Sequence, residues 1–252
     1  MPLAKHPILV QTNQMESPSR TSQSRTGSAK REAARPVGAG AAPSQPSRKH
    51  DAERTRADIL AVATEEFAEH GLSGARVDAI AARTRTTKLM LYYYFGSKEG
   101  LYEAVLERAY AGIREAETKL DLAALDPESA IRRLVDFTFD HHAAHPEFVR
   151  LVCIENIHHA KFIASARAIH SLHSPAIAAL AETLERGRTL GCFRAGLKAI
   201  DVHLLINSFC FYRVSNRGTF GANFQIDLHA PDVRERHRRM ISEAVLGYLK
   251  PE

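Results

Sequence analysis

The chain has 252 residues, 44% of them hydrophobic, with 34 Lys/Arg, 29 Asp/Glu, a net charge of +5 and three cysteines. That length accommodates one large domain or two small ones of ordinary globular composition; no apolar run approaches the ~20 residues needed to span a bilayer, and the N-terminus lacks the apolar core and cleavage site of a secretory signal. A cytoplasmic protein without a membrane partner is expected, and Cys153, Cys192 and Cys210, odd in number and with no CxxC pair, argue against a disulfide framework or a cysteine zinc site and read as buried free thiols.

The charge is unevenly placed. Residues 1–50 hold eight Lys/Arg and two Asp/Glu, which leaves the rest of the chain at −1. Rich in Ser, Ala, Pro, Arg and Gln, this stretch cannot bury enough apolar surface to offset the entropy of ordering, and it is expected to be a disordered basic tail. A start codon assigned too far upstream is the other origin considered for it. A basic chain therefore does not by itself imply a nucleic-acid partner. Arg83–Lys98 does carry a local signal, with four cations and no anion.

A helical pattern begins near Arg54, where Ile59, Ala63 and Phe67 recur at every fourth residue, broadened by Leu60 and Val62, and Gly71 supplies a stop. Two short helices follow. In the first, Val77 and Ile80 are core anchors, while Ala79, Ala81 and Ala82 allow close approach of a second helix. Thr84-Arg85-Thr86 fills a tight turn, and Thr87 caps the second helix. On that helix Leu91 and Phe95 face inward, while Lys88, Leu89, Met90, Tyr92 and Tyr93 project outward. Ser97 caps a longer helix from Lys98 to about Leu120, with Leu101, Val105 and Leu106 inward. Pro127 marks the next helix start, with Ile131, Leu134, Val135 and Thr138 on one face. His145-Pro146 breaks that helix and begins another containing Phe148, Val149, Val152 and Ile157. A segment around Phe162–His170 follows. Ser174-Pro175 then reads as a cap and first turn before Ile177, Leu180, Ala181 and Leu184, with Gly187 and Gly191 as the close. Asp201 is expected to cap a helix to about Asn216, residues 217–230 read as a loop, and a last helix runs from Pro231 to Leu249 with Met240, Ile241, Ala244, Val245 and Tyr248 on one side. The expected class is all-α, with no internal repeat.

The second short helix combines a cation, exposed apolar groups and consecutive tyrosines. Lysine can hold a phosphate or a guanine edge, Leu89 or Met90 can touch a thymine methyl, and tyrosine hydroxyls can donate to phosphate oxygens. Lys98, at a helix N-terminus, adds its charge to that end of the dipole. As an ordinary bundle helix, the same segment would have to bury three successive tyrosines in three directions.

The spacing of Ile59, Ala63, Phe67 and Gly71, then Val77, Ile80 and Ala81, then Leu91-Tyr92-Tyr93-Tyr94-Phe95-Gly96-Ser97-Lys98-Glu99 and Leu101, resembles the tetracycline-repressor (TetR) family of bacterial regulators. The similarity is strong over residues 54–103 and architectural beyond. Ser215–Phe224 is weakly similar to a branch regulating small nitrogenous or aromatic catabolism. The resemblance implies an N-terminal three-helix helix-turn-helix DNA-binding domain, taken as residues 51–97. It also implies a C-terminal helical bundle, residues 98–252, for effector binding and dimerisation. It implies a homodimer on a double-stranded, pseudo-palindromic operator, released by a small-molecule effector, with no cofactor and no catalytic residue. The family's DNA-contact positions fall on Lys88, Leu89, Met90, Tyr92, Tyr93, Tyr94 and Lys98, and a frequent phosphate contact falls on Arg76. Where the family has Gly-Val in the turn, this chain has Arg85-Thr86. Either the turn changes geometry or an arginine occupies a left-handed position at a cost of ~1–2 kcal/mol.

For the effector, Phe137, His141, Phe148, Asn156, Phe162, His170, Asn207, Phe211 and Tyr212 are the candidate lining, and they suit a small polar aromatic or heterocycle. The helix from Asp201 and the last helix are the expected dimer interface. Two other readings compete. One is a metal-dependent enzyme built on the histidines, since His141 and His145 have a spacing that can share a metal. The other is an interaction protein whose reading head has degenerated at Arg85-Thr86.

Overall fold

The N-terminal apolar stripe does what its spacing predicts: Ile59, Leu60, Ala63 and Phe67 are all buried on one face of the first helix. A computed structural model of the chain describes residues 45–251, apart from the side chains of residues 45–49, 167, 168, 170 and 172–174. The tail expected over residues 1–50 lies outside the described residues up to position 44. Among the described residues all regular structure is helical, and Ser44–Glu252 forms one compact unit.

Helix α1 (Gln45–Gly74) begins well before Arg54 and is interrupted at Gly71, whose φ of 64° ends the regular turn. Helices α2 (Val77–Arg83) and α3 (Lys88–Phe95) form the helix-turn-helix unit, and α4 (Lys98–Thr118) follows directly. Ser97 caps α4, its hydroxyl accepting the Gly100 amide at 3.0 Å. Gly100 permits the junction. A Cβ there would lie 2.2 Å from the Phe95 carbonyl oxygen, so only glycine lets the end of α3 sit against the first turn of α4. One hydrophobic core joins α1–α4 with Leu151 and Ile169 of the following helices.

The turn between α2 and α3 keeps the left-handed geometry. Arg85 has φ 53°, a conformation that glycine adopts without cost. Thr86 is accommodated by a short hydroxyl relay: its oxygen is 2.8 Å from that of Thr84, which in turn lies 2.9 Å from the Ile80 carbonyl. The half-buried hydroxyl therefore has a partner, and the unit closes despite both departures.

The remaining helices are α5 (Pro127–Ala144), α6 (Pro146–Ile157), α7 (Arg167–Thr189), α8 (Ala199–Ser215), α9 (Arg217–Phe224) and α10 (Pro231–Leu249). Asp126 caps α5 by accepting the Ser129 amide, and Ile131, Leu134, Val135 and Thr138 are all buried as their spacing predicts. Their core is shared with α7, α8 and α10.

Several expectations are corrected. Pro175 does not open a helix; it lies inside α7, which packs on α4, α5 and α8 and so tolerates a proline that a free helix would not. Gly187 is also interior, whereas Gly191, at φ 74°, follows the Leu190 cap and closes the helix as its spacing suggests. Lys198, not Asp201, occupies the cap of α8, and Asp201 sits in its first turn. Residues 217–230 are not all loop: α9 fills Arg217–Phe224 and stops at Gln225, which is left-handed. The buried stripe of α10 is Ile241, Ser242, Val245, Leu246 and Leu249, one position round from the expected one; Met240, Ala244 and Tyr248 are exposed. Ala82, Ile157 and Ala181 are exposed too.

Two substitutions test these packing arguments. A Cβ at position 187 would meet the buried Phe193 ring at 1.9 Å, so Gly187→Ala should lower stability by about 1–3 kcal/mol in denaturant unfolding. Arg85→Gly should raise it by about 1 kcal/mol, because relief of ~1–2 kcal/mol of left-handed strain exceeds glycine's extra unfolded-state entropy. Thermal unfolding that shows Arg85→Gly to be destabilised would contradict the strain.

Candidate nucleic-acid interface

Helix α3 is short and mostly apolar, yet it buries only one residue fully. Leu91 is 1% exposed and anchors the helix to the core, whereas Leu89 and Tyr93 are each 78% exposed. Met90 and Tyr92 are exposed as well. Thr87 caps the helix as expected, its hydroxyl accepting the Met90 amide at 3.2 Å. Phe95 is half-buried under the Arg56 guanidinium, 5.1 Å from the ring centre. Tyr94 is corrected inward: it is half-buried against the core, and its ring packs beside Tyr93 and Phe95. Four outward groups thus cover one face of a rod held from behind, an exposed apolar patch of the kind that marks an interaction surface.

The cations around this face are tethered. Lys88 pairs with Asp78 of α2 at 3.3 Å, Arg83 pairs with Glu65 of α1, and Lys98 donates to the Ser73 carbonyl at 3.3 Å. These are exposed contacts in water, weak enough for phosphate to compete with them. Arg76 is exposed, and its backbone amide donates to Glu66 at 2.9 Å, which fixes the start of α2.

The effector candidates separate into groups. Phe137, His141, Phe148 and Phe211 meet between α4, α5, α6 and α8, around His142. Phe162 instead packs on Tyr102 at 5.2 Å, in the other core. Asn156 and Tyr212 are exposed, which corrects them as buried lining; the helical phase of each points outward. Asn207 is half-buried and donates to the His203 carbonyl one turn earlier at 2.9 Å. The side chain of His170 lies outside the described residues. Arg114 and Glu117, which sequence reasoning did not single out, and His142, a member of its histidine cluster, are all nearly buried in this layer. The signal was present for Arg114, which falls on the inward phase of α4 one turn after Tyr110 and next to Ile113.

Burial, then His145 and Arg114, hold His141 at about 4, and burial, then His141 and Arg114, do the same to His142. The rings of His141 and His145 stack at 4.1 Å. Among the described residues no three His, Cys, Asp or Glu side chains are grouped to hold a metal ion, and no helix is long and apolar enough to cross a membrane.

A second buried network joins the two halves. Tyr102 on α4 donates to Glu155 on α6 at 3.0 Å, and Glu155 also accepts the amides of Phe162 and Ile163. The Tyr102 ring packs edge-on against Phe67 of α1 at 5.1 Å. Burial, and then the Glu155 charge, raise the phenol's pKa, so it stays a donor.

Comparison with known proteins follows the same division. Residues 59–105 match the family of bacterial regulatory proteins named for tetR, and residues 127–245 match the tetracyclin repressor-like C-terminal domain. The chain is 36% identical over 203 residues to the HTH-type transcriptional repressor NicS of Pseudomonas putida, covering 81% of this chain and 96% of that one. It is 38% identical over 141 residues to the HTH-type transcriptional repressor SCO4008 of Streptomyces coelicolor, covering 54% and 68%. Among solved structures, the transcriptional regulator SCO4942 of Streptomyces coelicolor superposes with a TM-score of 0.59 at 31% identity, over 78% of this chain and 99% of that one. The ketosteroid regulator KstR2 of Mycobacterium tuberculosis, at 20% identity and a TM-score of 0.58 over 78% and 95%, shares the fold. Members of the family bind DNA operators and small-molecule effectors, typically as dimers. The outward-facing α3, the all-helical body behind it and both family matches together place this chain in the TetR family: it is a ligand-responsive, DNA-binding transcriptional repressor and not an enzyme.

Proposed function

We propose that the protein works in the cytoplasm as a homodimer that inserts α3 of each protomer into successive major grooves of a pseudo-palindromic operator. The observation that carries this is the four-residue face of Leu89, Met90, Tyr92 and Tyr93, exposed on a helix whose rear is locked by Leu91. Leu89 and Met90 offer apolar contact to thymine methyls, and the Tyr92 and Tyr93 hydroxyls reach phosphates. Lys88 and Lys98 exchange Asp78 and the Ser73 carbonyl for phosphate, and Arg76 and Thr87 flank them at the starts of α2 and α3. Tyr94 acts from behind as a spacer. The turn at Arg85 retains its geometry, which favours a working reading head over a degenerate one.

The dimer forms through α8 and α10. Ile200, Leu204, Ser208 and Tyr212 stand exposed along α8 at every fourth residue, and Met240, Ala244 and Tyr248 repeat that pattern on α10. Two such helices from each protomer make a four-helix bundle, and its twofold axis sets half-sites one or more DNA turns apart. A small polar aromatic or heterocyclic effector binds within the body and shifts the population toward a spacing that no longer fits adjacent grooves. Helix α4 carries the shift, because Tyr102 touches Phe67 of the reading head on one side and Glu155 and Phe162 of the body on the other.

Two experiments test this reading. Lys98→Ala should flatten the log–log salt dependence of operator binding by about 0.9, the signature of one lost phosphate contact; an unchanged slope removes Lys98 from the interface. Leu204→Glu should leave a folded monomer in light scattering at micromolar concentration, with operator affinity lost in parallel. A variant that remains dimeric would move the interface elsewhere.

A further inference from the structure

The four cations of Arg83–Lys98 are Arg83, Arg85, Lys88 and Lys98. Three of them hold a partner within the protein: Arg83 pairs with Glu65, Lys88 with Asp78, and Lys98 donates to the Ser73 carbonyl. Arg85 is the fourth. It is exposed, and among the described residues its side chain makes no hydrogen bond, ion pair or ring contact. Glu65 and Asp78 are already engaged by its neighbours.

The backbone of Arg85 is strained, and the turn around it is not free to relax. Its φ of 53° falls in the left-handed region, which a residue with a Cβ enters only at a cost. Its amide donates to the Ala82 carbonyl at 3.3 Å, the Thr86 amide to the Ala81 carbonyl at 3.0 Å, and the Thr84 hydroxyl to the Ile80 carbonyl at 2.9 Å. The last turn of α2 therefore fixes the chain on both sides of Arg85, and the guanidinium contributes nothing to holding it. A strained position whose side chain supports no contact within the fold points to a use outside it.

The place of the turn identifies that use. Arg85 lies two residues before the Thr87 cap and three before Lys88, the first residue of α3. The major groove is about 12 Å wide and a helix with its side chains about 10–12 Å across, so α3 seated there fills the groove. The turn that leads into its first residue then stands at the rim, where the phosphates are. A guanidinium offers a phosphate two parallel N–H donors. Arg85 also has no internal contact to give up, whereas Lys88 and Lys98 exchange one contact for another.

We propose that Arg85 is a phosphate clamp at the rim of the operator groove, bound to the sugar–phosphate backbone and reading no base. This rests on the docking of α3 proposed above and adds a residue that sets affinity rather than sequence preference.

The test measures Arg85→Asn, Arg85→Lys and Lys98→Ala in the full-length protein. The probes are a duplex that the wild-type protein selects from a random-sequence pool and versions of it with one base pair changed. Asparagine tolerates the left-handed conformation and carries no charge, so the turn is kept while the cation is removed. Arg85→Asn should bind the selected duplex about tenfold more weakly and flatten the log–log salt dependence by about 0.9. The same factor should be lost on every altered duplex, because a phosphate contact carries no sequence information. Arg85→Lys keeps the charge and should restore the slope while recovering only part of the affinity, since an ammonium lacks the fork. Denaturant unfolding should show Arg85→Asn at least as stable as wild type, so that affinity falls while the fold does not. A wild-type slope in Arg85→Asn, or a loss that differs between the selected and altered duplexes, would overturn the inference. Lys98→Ala separates the clamp from the docking itself. If Lys98→Ala flattens the slope and Arg85→Asn does not, the clamp alone fails; if neither does, the docking of α3 fails with it.

Discussion

The Tyr102 side chain is the constraint on which the rest of the molecule depends. Its ring is wedged between Phe67 of α1 and Phe162 ahead of α7, and its hydroxyl donates to Glu155 of α6. Each contact alone is ordinary. Together they bind α4 to the reading head and to the body through one rigid group that is 1% exposed. A buried carboxylate with three donors is well satisfied, so Glu155 holds this junction together. Because Gly100 brings the end of α3 onto the first turn of α4, any tilt of α4 is also a tilt of the reading helix.

The two faces of the protein are built on opposite principles. On α3, apolar groups are left in water. In the α4–α5–α8 layer, polar groups are taken out of water, and burial raises the pKa of Glu117 while lowering those of His141 and His142. Both arrangements are costly for an isolated chain.

Much of this was legible from residue spacing. The helix-turn-helix boundaries, the caps at Thr87 and Ser97, the inward Leu91 and the outward Leu89 and Tyr93 all follow from local rules: a hydroxyl that accepts an amide three residues on, and a period of 3.6. The start and end of α10 were legible for the same reason. The misreadings share a cause. Ser174-Pro175 carries a strong local start signal, but the packing of α7 along three other helices outweighs it. Residues 217–224 look like a loop by composition but form α9, which buries no residue fully and stops at the left-handed Gln225. On α10 the periodicity was right and its phase was one residue off, since Met240 and Tyr248 are apolar yet lie on the outer side.

By itself, the sequence determined the all-helical class, the family and the outward face of the reading helix, because those depend on contacts within a few residues along the chain. Only the tertiary structure decided that Tyr94 turns inward, that Asn156 and Tyr212 are exposed, and that Arg114 and His142 are buried between distant helices. Those outcomes depend on which faces of distant helices meet, and a helix's own residues do not state what will cover it.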